Sequence, residues 1–369
     1  MKNSSITSSN FPTKFKFTYD NWIFIKAKLN NSEAEREFML DTGSPCAYCF
    51  RTKDALNLQS KKLVRFGMLK LDYGSSQAQI ESIRYNNLAY TVSDMAYCWR
   101  KTNSGYIGVN AMQNSIWEFN FKDTTITVSD TLIHFKNIEG ASKIRFTPLS
   151  EQQTPVIKIV INNGDTITAL LDTGNDKILQ LNNKFDINKI RLSCSECVQT
   201  SYYNINQMGE NVNRDSIIEV NYVKANSVKI GDLELKSSLL THKPRYQGKN
   251  LVGLGLFKNF IVTIDWKHYY IYLKPIENGS DMLSKFSYGF KCDKTGKRVK
   301  VTEIFRNSLA EKEGIKCGDE ILKLNDKTVA DLDEKTINSI NNEDLYAPDI
   351  IIQLKTKEIK LKKERIFSK

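Results

Sequence analysis

The triplet Asp41-Thr42-Gly43 recurs as Asp172-Thr173-Gly174, and each copy closes an apolar run, Phe38-Met39-Leu40 in the first and Ala169-Leu170-Leu171 in the second. A carboxylate at the tip of a hydrophobic strand is costly to bury unless a neighbour pairs with it or shares its charge. The second copy supplies that neighbour. Two carboxylates within hydrogen-bond reach hold one proton between them, so one can take a proton from a bridging water while the other polarises a carbonyl. That is the chemistry of amide hydrolysis. Asp41 and Asp172 are its candidate catalytic pair; Thr42 and Thr173 can lock the two loops through hydroxyl-to-backbone hydrogen bonds, and Gly43 and Gly174 allow close backbone approach. Ser44 can donate to the outer oxygen of Asp41, whereas the second copy carries Asn175, whose amide substitutes less well.

Rival chemistries lack their residues. The three histidines, His134, His242 and His268, form no His-Glu-x-x-His and sit near no Gly-x-Ser-x-Gly turn. Gly253-x-Gly255-x-x-Lys258 lacks the third glycine of a dinucleotide fingerprint and has no βαβ surroundings. Cys46-x-x-Cys49 and Cys194-x-x-Cys197 stand too far apart for a zinc ribbon and read as core residues or local redox pairs. No cofactor and no metal are expected.

The elements that must position the dyad read as β structure. Phe15, Phe17 and Tyr19 alternate with Lys14, Lys16 and Thr18, and alternating or continuous apolar runs recur at Trp22 to Ile25, Pro155 to Ile161 and Ile217 to Val223. Helical signals are short: Thr52 to Leu56, Ser308 to Glu313 and Asp333 to Ile340. A gapless internal repeat lays IGVNAMQNSIWEFNFKDTTITV, from Ile107, over VGLGLFKNFIVTIDWKHYYIYL, from Val252. Gly108 then matches Gly253 and Asn114 matches Asn259. Each half therefore carries a strand pair, the triplet, a hairpin region, an apolar-apolar-glycine element and a closing hairpin in the same order.

The chain of 369 residues is long enough for two or three domains, and its net charge of +11 is spread thinly, with only +4 from Ser284 onward. The densest basic run, Lys360 to Arg365, is interrupted by Leu361 and Glu364 and reads as the solvated face of a last strand. Nucleic-acid binding is not expected. No stretch approaches the roughly 18 apolar residues of a spanning helix, and Met1 to Lys14 has no apolar signal core. Neither a membrane span nor a signal peptide is expected, and the chain reads as a monomer. Seven cysteines cannot all pair internally, which points to a reducing compartment.

On FMLDTGS and ALLDTGN, with YIGV and LVGL downstream and SYGFKC and AEKEGIKCGDEILKLN near the C-terminus, the chain resembles the pepsin-like and retropepsin-like aspartic proteases, in particular bacterial ones with an appended PDZ domain. The resemblance implies a mainly β fold of two pepsin-like β-barrel lobes followed by a PDZ domain. Residues 1–12 would be a flexible tail, 13–140 the first lobe, 141–276 the second, 277–284 a linker and 285–369 the PDZ domain. It implies an aspartic endopeptidase acting on a polypeptide substrate and exported from a bacterial cell. Leu71 to Ser76 resembles the tip of a substrate flap, with Tyr73 and Gly74 covering the cleft. Tyr288-Gly289-Phe290 resembles the loop that receives a peptide C-terminus, with Lys285 assisting by charge. The competing reading is a scaffold that captures peptides without cutting them; retention of both aspartates favours catalysis.

Overall fold

The computed structural model describes residues 6–8, 10–66, 69–92, 104–149, 153–162, 164–204, 217–276, 286–341, 347–365 and 367. The linker expected at 277–284 and Lys285 lie outside them. The chain is mainly β. Its two compact units are Met1–Leu179 with Ser227–Lys236 and Lys249–Ser280, and Gln180–Asn226 with Ser237–Gly248 and Asp281–Lys369. Residues 141–276, one half of the repeat, thus contribute to both units. Among the described residues no helix is long and apolar enough to cross a membrane.

Strand formation follows the side-chain alternation. In Thr13–Lys16 the pattern is buried, exposed, buried, exposed, with Phe15 inward and Lys14 and Lys16 outward. Pro155–Ile161 repeats it with Lys158 as its exposed residue. Because side chains of a strand point to opposite faces, each apolar set finds one core. In Glu358–Lys362 the exposed lysines flank buried Ile359 and Leu361, so this basic run is a solvated strand face. Ile6–Ser8, expected in a loose tail, instead pairs with Ile83–Val92 at a sheet edge, where any extended segment can satisfy its backbone.

In the first unit, strand Arg36–Asp41 ends on the first aspartate and lies between Ile23–Leu29 and Gly105–Gly108. The latter runs parallel to it, with Ile107 opposite Leu40 and Gly108 opposite Asp41. The second repeat builds the same arrangement: Asp165–Leu171 runs parallel to Asn250–Val252, with Leu171 opposite Val252. The closing hairpins, Ile116–Asn120 with Thr125–Ser129 and Phe260–Asp265 with Tyr270–Pro275, join through an antiparallel ladder between Ile116–Asn120 and Phe260–Asp265.

In the second unit, Phe290–Thr295, Arg298–Phe305, Glu320–Leu324 and Asp349–Leu354 form an antiparallel sheet over a core that includes Tyr288, Phe290, Val301, Ile321, Ile337 and Ile350. Helix Leu309–Lys312 starts where its capping signal predicts, with Ser308 Oγ accepting from Glu311 N–H. Helix Glu334–Asn341 covers the apolar signal after Asp333. Strand Val198–Asn204 joins the same sheet, pairing Tyr202 with Ile304 and Tyr203 with Glu303.

Candidate functional site

Burying Asp41 at the end of an apolar strand requires polar partners, and its own loop supplies the first. Phe38, Met39 and Leu40 are fully buried, and Gly43 N–H donates to Asp41 Oδ1 at 2.8 Å. The second loop does the same, with Gly174 N–H donating to Asp172 Oδ1 at 2.8 Å. Asp172 is also fixed through its backbone, its N–H reaching Val252 O at 2.7 Å.

The threonines tie the loops together reciprocally. Thr42 Oγ1 donates to Leu171 O (2.8 Å) and accepts from Thr173 N–H (3.0 Å), while Thr173 Oγ1 donates to Leu40 O (2.8 Å) and accepts from Thr42 N–H (2.9 Å). Both threonines are fully buried. Four bonds made away from water fix one loop against the other, and each hydroxyl serves once as donor and once as acceptor. A Cβ added to Gly174 would lie 2.9 Å from both Asp172 Oδ1 and Asp41 Oδ2, and one added to Gly43 would lie 2.4 Å from Asp172. The two carboxylates therefore converge on one point, which only glycine leaves open.

The surroundings of the two acids differ. Ser44 Oγ lies 3.3 Å from Asp41 Oδ2 and 3.2 Å from Pro45 O, so its single proton serves two acceptors. Asn175 turns its Oδ1 to Lys177 N–H at 2.8 Å, which stiffens the second loop. Trp22 Nε1 also reaches that loop, donating to Gly174 O at 3.3 Å. Nothing in the spacing around Trp22 marks it, because an apolar aromatic at a strand start reads as core. Asn110 was equally hidden: its Oδ1 accepts from Cys46 N–H at 2.7 Å and its Nδ2 donates to Ala89 O at 2.7 Å, bracing the chain beyond Ser44.

Tyr73 and Gly74 do not form a hairpin tip. They lie within the twelve-residue strand Leu69–Ile80, paired with Thr91 and Tyr90 on one side. That strand also pairs with Lys61–Phe66, with Tyr73 opposite Lys61 and Phe66 opposite Leu69, the strand's first residue. Gly74 serves packing, since an added Cβ would meet Gln59 O at 2.4 Å and Tyr90 Oη at 2.6 Å, the two atoms that hydrogen-bond each other there.

The remaining candidates are held locally. Cys194 and Cys197 form a disulfide, whereas Cys46 and Cys49 are buried thiols and burial pushes Cys46 up to about 12. His134 Nδ1 meets Ser129 Oγ and His268 Nδ1 meets Asp265 Oδ2, both at 2.7 Å. His242 is buried beside Asn221, and desolvation, followed by the Arg191 charge, holds its imidazole below the usual range.

In the second unit, Tyr288 and Phe290 point into the core, with Tyr288 Oη donating to Ala347 O. Gly289 N–H donates to Ser287 Oγ at 3.0 Å, and Gly289 O accepts from Phe305 N–H at 2.9 Å. A PDZ domain model matches residues 281–345. The fold, the loop at Gly289 and this match together define a PDZ domain in the C-terminal part of the chain. No curated protein matches the chain.

Proposed function

We propose that the chain is an aspartic endopeptidase of two pepsin-like lobes, with a PDZ domain that recognises a peptide, most simply its free C-terminus. The observation that carries this reading is the reciprocal Thr42 and Thr173 bonding, which aims Asp41 and Asp172 at one point. A water there would bridge the acids. The ionised aspartate takes a proton from the water as its oxygen attacks the scissile carbonyl, and the protonated one donates to the carbonyl oxygen. Collapse of the tetrahedral intermediate returns a proton to the leaving amine. Rigid placement counts because misplaced reacting groups lose the advantage of proximity, and the buried threonine bonds provide it.

The test is cleavage of a peptide library by the wild-type chain, Asp41→Asn and Asp172→Asn. Each substitution should lower kcat by at least about a thousandfold, since the dyad works as a unit. Equal cleavage by all three proteins overturns the assignment.

A further inference from the structure

The strand that a PDZ ligand would extend has one paired edge and one facing a helix. Phe290–Thr295 pairs with Arg298–Phe305 on one side. On the other lies helix Glu334–Asn341, anchored by buried Ile337 and Ile340. A peptide adding to that helix-facing edge would take one residue's N–H and give an N–H to its C=O. At Cys292 both positions are filled. Cys292 N–H donates to Asn341 Oδ1 at 2.9 Å, and Asn341 Nδ2 donates to Cys292 O at 2.6 Å. The carboxamide reproduces the donor and acceptor pair of a peptide unit.

The same substitution occurs three residues earlier. Gly289 N–H, placed to receive a ligand carboxylate, donates instead to the hydroxyl of buried Ser287 at 3.0 Å. Two of the places where a C-terminal peptide would gain main-chain hydrogen bonds, Gly289 and Cys292, are therefore satisfied by side chains of the chain itself.

We propose that Asn341 and Ser287 are internal stand-ins for a free peptide C-terminus, and that ligand enters this groove only by displacing them. The inference rests on the peptide-binding reading of the PDZ domain. An arriving peptide then exchanges hydrogen bonds where it would otherwise add them, and resting affinity is low. The stand-ins differ in strength. A carboxylate makes a stronger, charge-assisted bond to Gly289 N–H than a neutral hydroxyl, so Ser287 yields readily. A peptide backbone gains nothing over the Asn341 carboxamide, so Asn341 is the principal gate and selects ligands whose side chains supply the deficit.

The experiment uses the full chain with an array of peptides bearing free carboxylates and their amidated counterparts, and follows hydrogen exchange at the Cys292 amide. Asn341→Ala should bind free-carboxylate peptides about tenfold more tightly than wild type, the worth of roughly one net hydrogen bond. Asn341→Asp keeps an acceptor for Cys292 N–H and lacks the donor, and should fall between. Without peptide, the Cys292 amide should be protected in wild type and exchange faster in Asn341→Ala; thermal melting checks that the variant is folded. Peptide binding of equal strength in all three proteins overturns the gate and leaves the peptide-binding reading standing. Failure of every protein to bind any free-carboxylate peptide overturns both. Unchanged Cys292 protection in folded Asn341→Ala overturns the gate without reference to peptide.

Discussion

Glu118 and Thr263 stand directly opposite each other in the ladder between Ile116–Asn120 and Phe260–Asp265, and they are also equivalent positions of the internal repeat. A residue that pairs with its own repeat mate sits on the local twofold axis of the ladder. The sequence alignment and the strand register thus locate one axis by independent routes. Thr263 Oγ1 donates to Glu118 Oε2 at 3.3 Å, and Asn137 Nδ2 donates to the same oxygen at 3.2 Å.

That position makes Glu118 a pH-sensitive element of the first unit. Desolvation pushes its carboxyl above the usual range, against the smaller opposing effects of Asn137, Thr263 and Lys14. An acid whose folded pKa is raised binds its proton more tightly when folded, so stability is present below the unfolded value near 4.5 and is lost as pH rises through the folded value. Glu118→Gln removes this loss and keeps an acceptor oxygen. Its melting temperature should exceed that of wild type by about 2–4 °C at pH 7 and match it near pH 4. A difference that is constant from pH 4 to 8 would contradict the assignment.

Thr42→Val removes one hydroxyl and with it the bonds to Leu171 O and Thr173 N–H. Leaving a buried donor and acceptor unmatched should cost about 2–4 kcal/mol in chemical denaturation. Peptidase activity should fall by about ten- to a hundredfold through lost alignment, a larger effect than the stability loss alone explains at saturating native protein. Thr42→Ser should recover most of both. If Val and Ser variants behave alike, the hydroxyl does not hold the loops.

Much of this was legible in the sequence because it rests on short, repeated signals. The two triplets gave the acids, the alternation of Lys14, Phe15 and Lys16 gave a strand, and the Ser308 cap gave a helix start. What escaped depends on register or on distant partners. Tyr73-Gly74 looks like a turn because glycine favours turns locally, yet Gly74 is needed where Tyr90 crosses a strand, a contact from a neighbouring strand that no local pattern records. Asn341 and Ser287 are ordinary polar residues until the fold sets them against Cys292 and Gly289.

Gly74→Ala tests that reading of the strand. The added methyl would sit 2.4 Å from Gln59 O and 2.6 Å from Tyr90 Oη, so backbone or ring must shift at a cost of about 1–3 kcal/mol. Combining it with Tyr90→Phe removes the hydroxyl oxygen, the nearest atom of that side chain, and should recover part of the loss. Denaturation of the two single variants and the double variant decides it. Strictly additive losses would show that Tyr90 is not what the methyl meets.

Glu303 lies in the register where Val198–Asn204 pairs with the PDZ sheet, opposite Tyr203. Its carboxylate is buried and accepts from Ser201 Oγ and, at 3.1 Å, from Tyr222 Oη; Lys291 Nζ lies 3.5 Å away and itself donates to Tyr222 Oη at 2.9 Å. A buried carboxylate is tolerated only when its acceptor sites are filled, and this one is filled by Val198–Asn204, by Ile217–Ile230 and by its own sheet. Glu303→Ala would remove the carboxylate that Ser201, Tyr222 and Lys291 share, and should destabilise the second unit by about 2–4 kcal/mol, with Glu303→Gln costing less. Ser201→Ala should be milder, and its effect should shrink by about 1 kcal/mol in the Glu303→Ala background, because the bond to Glu303 is already gone there while the one to Val220 O remains. Hydrogen exchange gives the spatial readout: amides of Val198–Asn204 and of the Ile304 region should lose protection together in Glu303→Ala. Loss confined to the PDZ strands would mean that Glu303 stabilises its own sheet and does not hold the added strand.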